Sequence, residues 1–192
     1  MPHKFDPKKL HCLDSEKRKK LFPVEPILEN VSLSDGDAVA DIGCGTGYLL
    51  FSIKALLQKG VRYYAIDISQ EALDIVRERA GDSWDVVTVL SQENFIPLPD
   101  SSISLALMGA LYHELENRPK FLQEIKRLLK PSGTLVVLDY SPTGQDEESG
   151  PPNEDRIPLD VVLKELESAS FHDTKCLYVL EQTYAVIARK QE

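Results

Sequence analysis

The stretch Val39-Ala40-Asp41-Ile42-Gly43-Cys44-Gly45-Thr46-Gly47-Tyr48-Leu49-Leu50 constrains this chain most. An apolar run ends in an acid, crosses three glycines at alternate positions and resumes as an apolar helical pattern. That order reads as strand, tight turn, helix. Glycine recurs because such a loop takes backbone angles closed to other residues and lets a ligand lie against the main chain. The helix that follows offers unpaired N–H groups at its start to a carboxylate or other polar group.

Downstream, strand and helix patterns alternate. Strands are expected over residues 38–42, 62–67, 86–90, 103–108 and 134–139. Helices are expected over 47–59, ended by Gly60, and over 70–80, capped by Ser69 and ended by Gly81. Another covers 119–129, where Phe121, Leu122, Ile125, Leu128 and Leu129 form one stripe and Lys130-Pro131-Ser132-Gly133 stops it. A polar segment, 141–155, precedes an amphipathic helix over 159–168. Strands over 175–180 and 184–188 come last, and the three-residue link Glu181-Gln182-Thr183 demands an antiparallel hairpin. The predicted class is α/β: a doubly wound, mostly parallel, seven-stranded Rossmann-like sheet ending in that hairpin, with helices on both faces.

At 192 residues the chain suits one structural domain. Residues 1–35 carry a helix start at Asp14-Ser15-Glu16 and a second short helix opened by Pro26, with Ile27, Leu28 and Val31 on its apolar face. They are too few for a core of their own and read as a helical cover over the domain formed by 36–192. The formal net charge of −9 provides no global attraction for nucleic acid. The basic run Lys17-Arg18-Lys19-Lys20, with Lys8 and Lys9 nearby, reads as a solvated helix face. Cys12, Cys44 and Cys176 have neither metal-ligand nor redox spacing, so no metal is expected and a reducing compartment is the default. The first ten residues are too charged for a signal peptide and no apolar run is long enough to span a bilayer, which predicts a cytoplasmic protein without a membrane partner. The oligomeric state stays open.

In an open parallel sheet, ligands bind outside the carboxyl ends of the strands, where strand order reverses. The glycine loop lies at such an end. So does Asp67, about twenty residues on, where an acid can accept both hydroxyls of a ribose. An adenosine-containing ligand is therefore predicted. Dinucleotide binders want a third small residue where this chain has Tyr48, which opposes a nicotinamide oxidoreductase. No Tyr-x-x-x-Lys pair and no Gly-Lys-Ser/Thr is present, so a short-chain dehydrogenase and a P-loop nucleotidase are disfavoured. A phosphate-free adenosyl ligand fits better.

Asp41-Ile42-Gly43-Cys44-Gly45-Thr46-Gly47 resembles the first motif of class I S-adenosylmethionine-dependent methyltransferases. The similarity continues through Tyr64-Ala65-Ile66-Asp67-Ile68-Ser69, Ser91-Gln92-Glu93-Asn94 and Pro97-Leu98-Pro99-Asp100. It runs on through Leu107-Met108-Gly109-Ala110-Leu111-Tyr112-His113-Glu114-Leu115 and Glu124 to Gly133, so that it spans most of residues 36–140. The set is similar to the small type 11 branch that includes quinone-biosynthesis methyltransferases. His3-Lys4-Phe5-Asp6-Pro7 and Gly150-Pro151-Pro152 resemble a compact subgroup of that branch.

The resemblance implies S-adenosyl-L-methionine as cofactor and a small-molecule methyl acceptor. By position, Asp41 would bind the methionyl ammonium, and Gly43, Cys44, Gly45 and Gly47 would back the methionine moiety. Asp67 would hold the ribose, Ile68 the adenine face, and Glu93 and Asn94 the adenine edge. Met108 and Gly109 would line the passage to the acceptor, unless Met108 simply packs in the core. His113, just after the fourth strand, is the candidate base or substrate anchor, the alternative being a histidine that bonds backbone at a helix start. Tyr112 either lines the acceptor site or packs there, and Asp139 and Tyr140 face the same mouth. A second function class, a cofactor-binding module without turnover, retains the same cofactor residues. The Asn/Asp-Pro-Pro-Tyr/Phe motif of many base- and amide-methylating enzymes is absent, Met108-Gly109-Ala110-Leu111 standing in its place. Arsenite methylation would want clustered thiols, and these three are scattered.

Overall fold

A computed structural model describes residues 20–57, 60–83, 85–143 and 150–191. The expected helix start at Asp14-Ser15-Glu16, most of the basic run, Cys12 and the His3–Pro7 motif lie outside the described residues. The elements are α1 (Glu25–Leu28), β1 (Ala38–Ile42), α2 (Tyr48–Leu56), β2 (Arg62–Asp67), α3 (Gln70–Ala80) and β3 (Val86–Leu90). They continue with β4 (Ile103–Gly109), α4 (Arg118–Leu128), β5 (Leu129–Tyr140), α5 (Leu159–Ser168), β6 (Phe171–Val179) and β7 (Thr183–Lys190).

The strands form one sheet in the order β3-β2-β1-β4-β5-β7-β6. Strands β3 to β5 pair in parallel, and β7 runs antiparallel to both β5 and β6. This is the predicted doubly wound sheet with a terminal hairpin. Chain order runs outward from β1 to β3 and then restarts at β4 on the other side of β1. The crevice at the carboxyl ends of β1 and β4 is thus the switch point at which such sheets bind ligands.

Both sheet faces are covered, so the central strands are apolar on both sides. Ala40, Ile42, Ala106, Met108, Leu135 and Val137 face α4 and α5, packing on Phe121, Leu122, Ile125, Leu128, Val162 and Leu166. Alternate residues Val39, Leu105, Leu107, Val136 and Leu138 face the other way, with Leu50 and Ile53 of α2 and Leu73 and Val76 of α3. Phe22, Val24 and Ile27 from the N-terminal section join this second layer. Leu21 and Phe22 are also held through their carbonyls, which accept from the Thr183 hydroxyl and the Tyr48 hydroxyl. Glu124 and Arg127 of α4 staple the Pro-rich turn before β4: Glu124 accepts from the Ile96 N–H at 2.8 Å, and Arg127 donates to the carbonyls of Ile96 and Leu98.

Several boundaries differ from expectation. Helix α2 stops at Leu56, and residues 58–59 of the expected helix lie outside the described residues. Asn117 caps α4, which ends at Leu128. Leu129 pairs with Ile103 at once, and pairing resumes at Thr134 opposite Leu105. Residues 130–133 are therefore an irregularity inside β5, with Ser132 at φ 58°, where the sequence reads as a helix stop and turn. Strands β6 and β7 are longer than predicted: β6 starts at Phe171 and runs through the register shift between His172 and Lys175, while β7 takes in Thr183 of the expected link and continues to Lys190.

Candidate cofactor and acceptor site

The glycine loop is fastened to the end of β2. The N–H groups of Gly43 and Cys44 both donate to the Ile66 carbonyl, at 2.8 and 3.0 Å. The Gly45 N–H donates to Asp67 Oδ2 at 2.9 Å, while Asp67 Oδ1 accepts the Ser69 N–H at 2.9 Å. One carboxylate thus binds the loop to the start of α3, and each oxygen keeps a lone pair for a further donor. Burial raises the Asp67 pKa above the ordinary carboxylate range, with these N–H groups pulling the other way.

Gly47 is the N-cap of α2, at φ 81°, and has no side chain to cap the helix. A Cβ there would lie 2.8 Å from the Phe51 ring, so both the backbone angle and the space require glycine. Asp41, buried at the end of β1, replaces the missing cap by accepting the Leu50 N–H at 3.2 Å. Arg79 of α3 closes the loop from outside, donating to the Thr46 carbonyl with its guanidinium 4.7 Å from the Phe51 ring centroid. The sequence gives no local sign of this clasp, since Arg79 lies 33 positions from Thr46. Tyr48, at the first helical position, is buried and donates its hydroxyl to Phe22 O.

The remaining cofactor candidates sit around the same strand ends. Ile68, just past β2, is 61% exposed, an apolar surface beside Asp67. Glu93 and Asn94 form the tip of a tight turn closed by hydrogen bonds between Gln92 and Phe95. The Ser91 N–H donates to the Asp67 carbonyl at 2.9 Å, which ties the approach to that turn to the end of β2. Cys44 is buried, and burial together with the Asp41 and Asp67 carboxylates pushes its thiol pKa well up, so it stays a neutral thiol. Gly109, at the end of β4, is half-buried and tightly approached by Leu49 of α2. Met108 beside it is fully buried in the layer under α4 and α5, where core packing accounts for its side chain.

His113 lies in the 3₁₀ turn Tyr112–Glu114 after β4 and is 5% exposed. Its partner is a carboxylate and not the backbone: Nδ1 is 2.7 Å from Asp139 Oδ1, and its N–H donates to Asp139 Oδ2 at 3.0 Å. An ionised carboxylate only accepts, which places the proton on Nδ1 and leaves Nε2 as the basic nitrogen. Nε2 is 3.8 Å from Glu114 Oε1, beyond hydrogen-bond distance. Burial alone would lower the imidazole pKa, but Asp139, Glu114 and Asp155 outweigh it and the net shift is upward. His113 borders an open cleft of about 510 Å³ whose other walls include Leu115, Glu116, Arg118, Glu154 and Asp155. Tyr112 packs in the core, its hydroxyl donating to Glu165 Oε2 at 2.6 Å. Arg118 holds the same carboxylate through Nε and Nη2, at 2.8 and 2.9 Å. This triad ties the turn, α4 and α5 together, and no spacing in the sequence announces it.

Two observations on the cofactor side bear on an adenosyl ligand. The Thr46 hydroxyl, in the glycine loop, is buried with no hydrogen-bond partner among the described residues. Exposed Ile68 and the two-armed Asp67 stand side by side. These features fit S-adenosyl-L-methionine, and no group of three or more metal-ligating side chains occurs among the described residues.

Comparison with known proteins agrees. Residues 40–137 match the family described as Methyltransferase domain, type 11. The demethylmenaquinone methyltransferase of Symbiobacterium thermophilum is 32% identical over 109 residues, 55% of this chain and 43% of that protein. The ubiquinone/menaquinone biosynthesis C-methyltransferase UbiE of Neisseria meningitidis is 30% identical over 115 residues, 59% of this chain and 47% of that protein. The matched region thus spans less than half the length of either relative. A crystal structure of a SAM-dependent methyltransferase from Aquifex aeolicus superposes with a TM-score of 0.87 at 32% identity, covering 97% of this chain and all of that one. From the loop, the acid beside it and these matches together, the chain belongs to the type 11 branch of the class I S-adenosylmethionine-dependent methyltransferases.

Proposed function

We propose that this protein transfers a methyl group from S-adenosyl-L-methionine to a small acceptor whose reacting group arrives protonated. The observation that carries the reading is the Asp139–His113 pair, set beside an open cleft and next in the chain to the strand end that holds Gly109. Asp41, the 43–47 loop, Thr46, Asp67, Ile68, Glu93 and Asn94 would hold the cofactor, Met108 and Gly109 forming the strand end beneath it. When bound, the cofactor supplies a methyl group already activated on a sulfonium. The chain's own task is then to orient the acceptor, exclude water and take its proton.

Nε2 of His113 is the nitrogen available for that proton, with Asp139 fixing the ring and stabilising the imidazolium formed. A hydroxyl or amine acceptor would need such a base, and a demethylmenaquinone of the kind named for the relatives is the first acceptor to try. The cytoplasm remains the compartment of this reading, where the free thiols of Cys44 and Cys176 stay reduced. No helix among the described residues is long and apolar enough to cross a membrane.

Titration calorimetry with S-adenosylhomocysteine and with NAD tests the cofactor, binding of the first and not the second being expected. Labelled methyl groups should then pass into a small-metabolite extract. Binding without any transfer would leave a cofactor-binding module instead of an enzyme. An unchanged kcat/KM in His113→Ala would remove that residue from the chemistry.

A further inference from the structure

The Gly150-Pro151-Pro152 stretch lies outside the residues assigned above to the cofactor, yet it is built closely into the structure. Gly150 lies at φ 99°, and a Cβ there would come within 2.6 Å of the Tyr140 ring. Arg156 is 3% exposed and donates through Nε to the Pro151 carbonyl at 2.9 Å and through Nη1 to the Ser141 carbonyl at 3.2 Å. Its guanidinium also lies over the Tyr140 ring, 5.5 Å from the centroid. One buried side chain therefore joins the last residue of the β5 exit to the return of the segment that follows it. Tyr184 adds a third tether, donating its hydroxyl to the Ile157 carbonyl at 2.8 Å.

Between these tethers the 3₁₀ turn Asn153–Asp155 presents Glu154 and Asp155 to the cleft that His113 borders. Tyr140, under Arg156, also meets His113 edge-on at 6.3 Å between ring centroids.

We propose that Arg156 is a positioning residue for the methyl acceptor: it fixes the 150–157 segment as the acidic wall opposite His113, and so governs acceptor recognition without affecting cofactor binding. The acceptor part rests on the methyltransferase reading above. The placement of the wall does not. Three carboxylates act on His113 from three elements: Asp139 at the end of β5, Glu114 in its own turn and Asp155 on the wall. Loss of the Arg156 tethers should relax only the last of these.

The test uses the full chain as Arg156→Met, Arg156→Lys and Asp155→Asn. The His113 resonance, one of four histidines and identified by its loss in His113→Gln, is titrated by NMR without cofactor. The His113 midpoint should fall in Asp155→Asn. In folded Arg156→Met, where loss of the guanidinium charge pushes the other way, adding Asp155→Asn should lower the midpoint by less than it does in the parent, because the freed wall no longer holds that carboxylate near the ring. Affinity for S-adenosylhomocysteine should stay within twofold of the parent. Labelled methyl transfer into a dilute metabolite extract should drop at least tenfold and recover in concentrated extract, as a raised KM requires, with Arg156→Lys intermediate. An unmoved His113 midpoint in Asp155→Asn overturns the wall even if Arg156→Met does not fold. A parallel loss of S-adenosylhomocysteine affinity in Arg156→Met would reduce Arg156 to general support of the fold. If the parent itself binds no S-adenosylhomocysteine, the cofactor reading fails while the titration result still stands.

Discussion

Asp67 serves two purposes with one carboxylate, bracing the glycine loop through Gly45 and the helix start through Ser69. In Asp67→Asn one of those N–H groups faces an amide donor, which costs about 1–3 kcal/mol of stability. The lost charge-assisted acceptor should lower S-adenosylhomocysteine affinity at least tenfold, read by calorimetry beside a urea melt. His113 makes a pH prediction. Its folded pKa is raised above the ordinary 6.5, so protonated His113 stabilises the fold at low pH, fully below about 6.5, and that contribution is lost as pH rises through the folded value. As a base it must be neutral. Methyl transfer should therefore climb with pH on the alkaline side of about 6.5, and Asp139→Asn should move that limb to lower pH while slowing the plateau. A flat profile between pH 6 and 9 would speak against His113 as base.

At the scale of elements, the loop and α2 act as one unit because glycine caps the helix and Asp41 completes the cap. Gly47→Ala places a side chain in the left-handed region, at about 1–2 kcal/mol, and drives its Cβ into Phe51. Adding Phe51→Ala should relieve the overlap but not the backbone term, so the double variant should still bind S-adenosylhomocysteine less tightly than Phe51→Ala alone. Much at this scale was legible in residues 38–50 and 62–80, where the apolar period switches from strand to helix between glycine and serine punctuation. Residues 130–133 were not. Lys130-Pro131-Ser132-Gly133 carries ordinary stop-and-turn chemistry, and only the pairing of Leu129 with Ile103 shows that the strand has already begun.

For the molecule as a whole, the described part of the N-terminal section, residues 20–35, adds side chains to the core. Phe22, Val24 and Ile27 are buried, and at about 1.5–3 kcal/mol for each such side chain they contribute roughly 4.5–9 kcal/mol. Deleting residues 1–35 removes an amount comparable to the total stability of many domains. The truncated chain should lose its cooperative melt by circular dichroism, and a folded product would show the section to be dispensable. At the opposite end of the sheet from the site, Asp37 joins the Ser34 N–H, the Ser104 hydroxyl and the Lys130 ammonium. Burial would raise its pKa, but these donors bring it down to about 2. Its contribution is present above the ordinary value near 4 and disappears as pH falls through about 2. It amounts to about 1 kcal/mol once solvent screening is allowed for. Acid unfolding of Asp37→Asn should be correspondingly flatter over that interval.

By itself the sequence determined the sheet's parallel body, its terminal hairpin and the placing of the glycine loop beside Asp67, because those depend on local rules: glycine spacing, strand-to-helix period and an acid one strand further along. Tertiary structure alone decided which groups meet around His113 and Arg156. Asp139 meets His113 across 26 positions, Arg118 meets Glu165 across 47 and Arg156 meets Ser141 across 15. Such pairs leave no periodic trace in the chain, because strand order brings them together and burial forces each polar group to find a partner there.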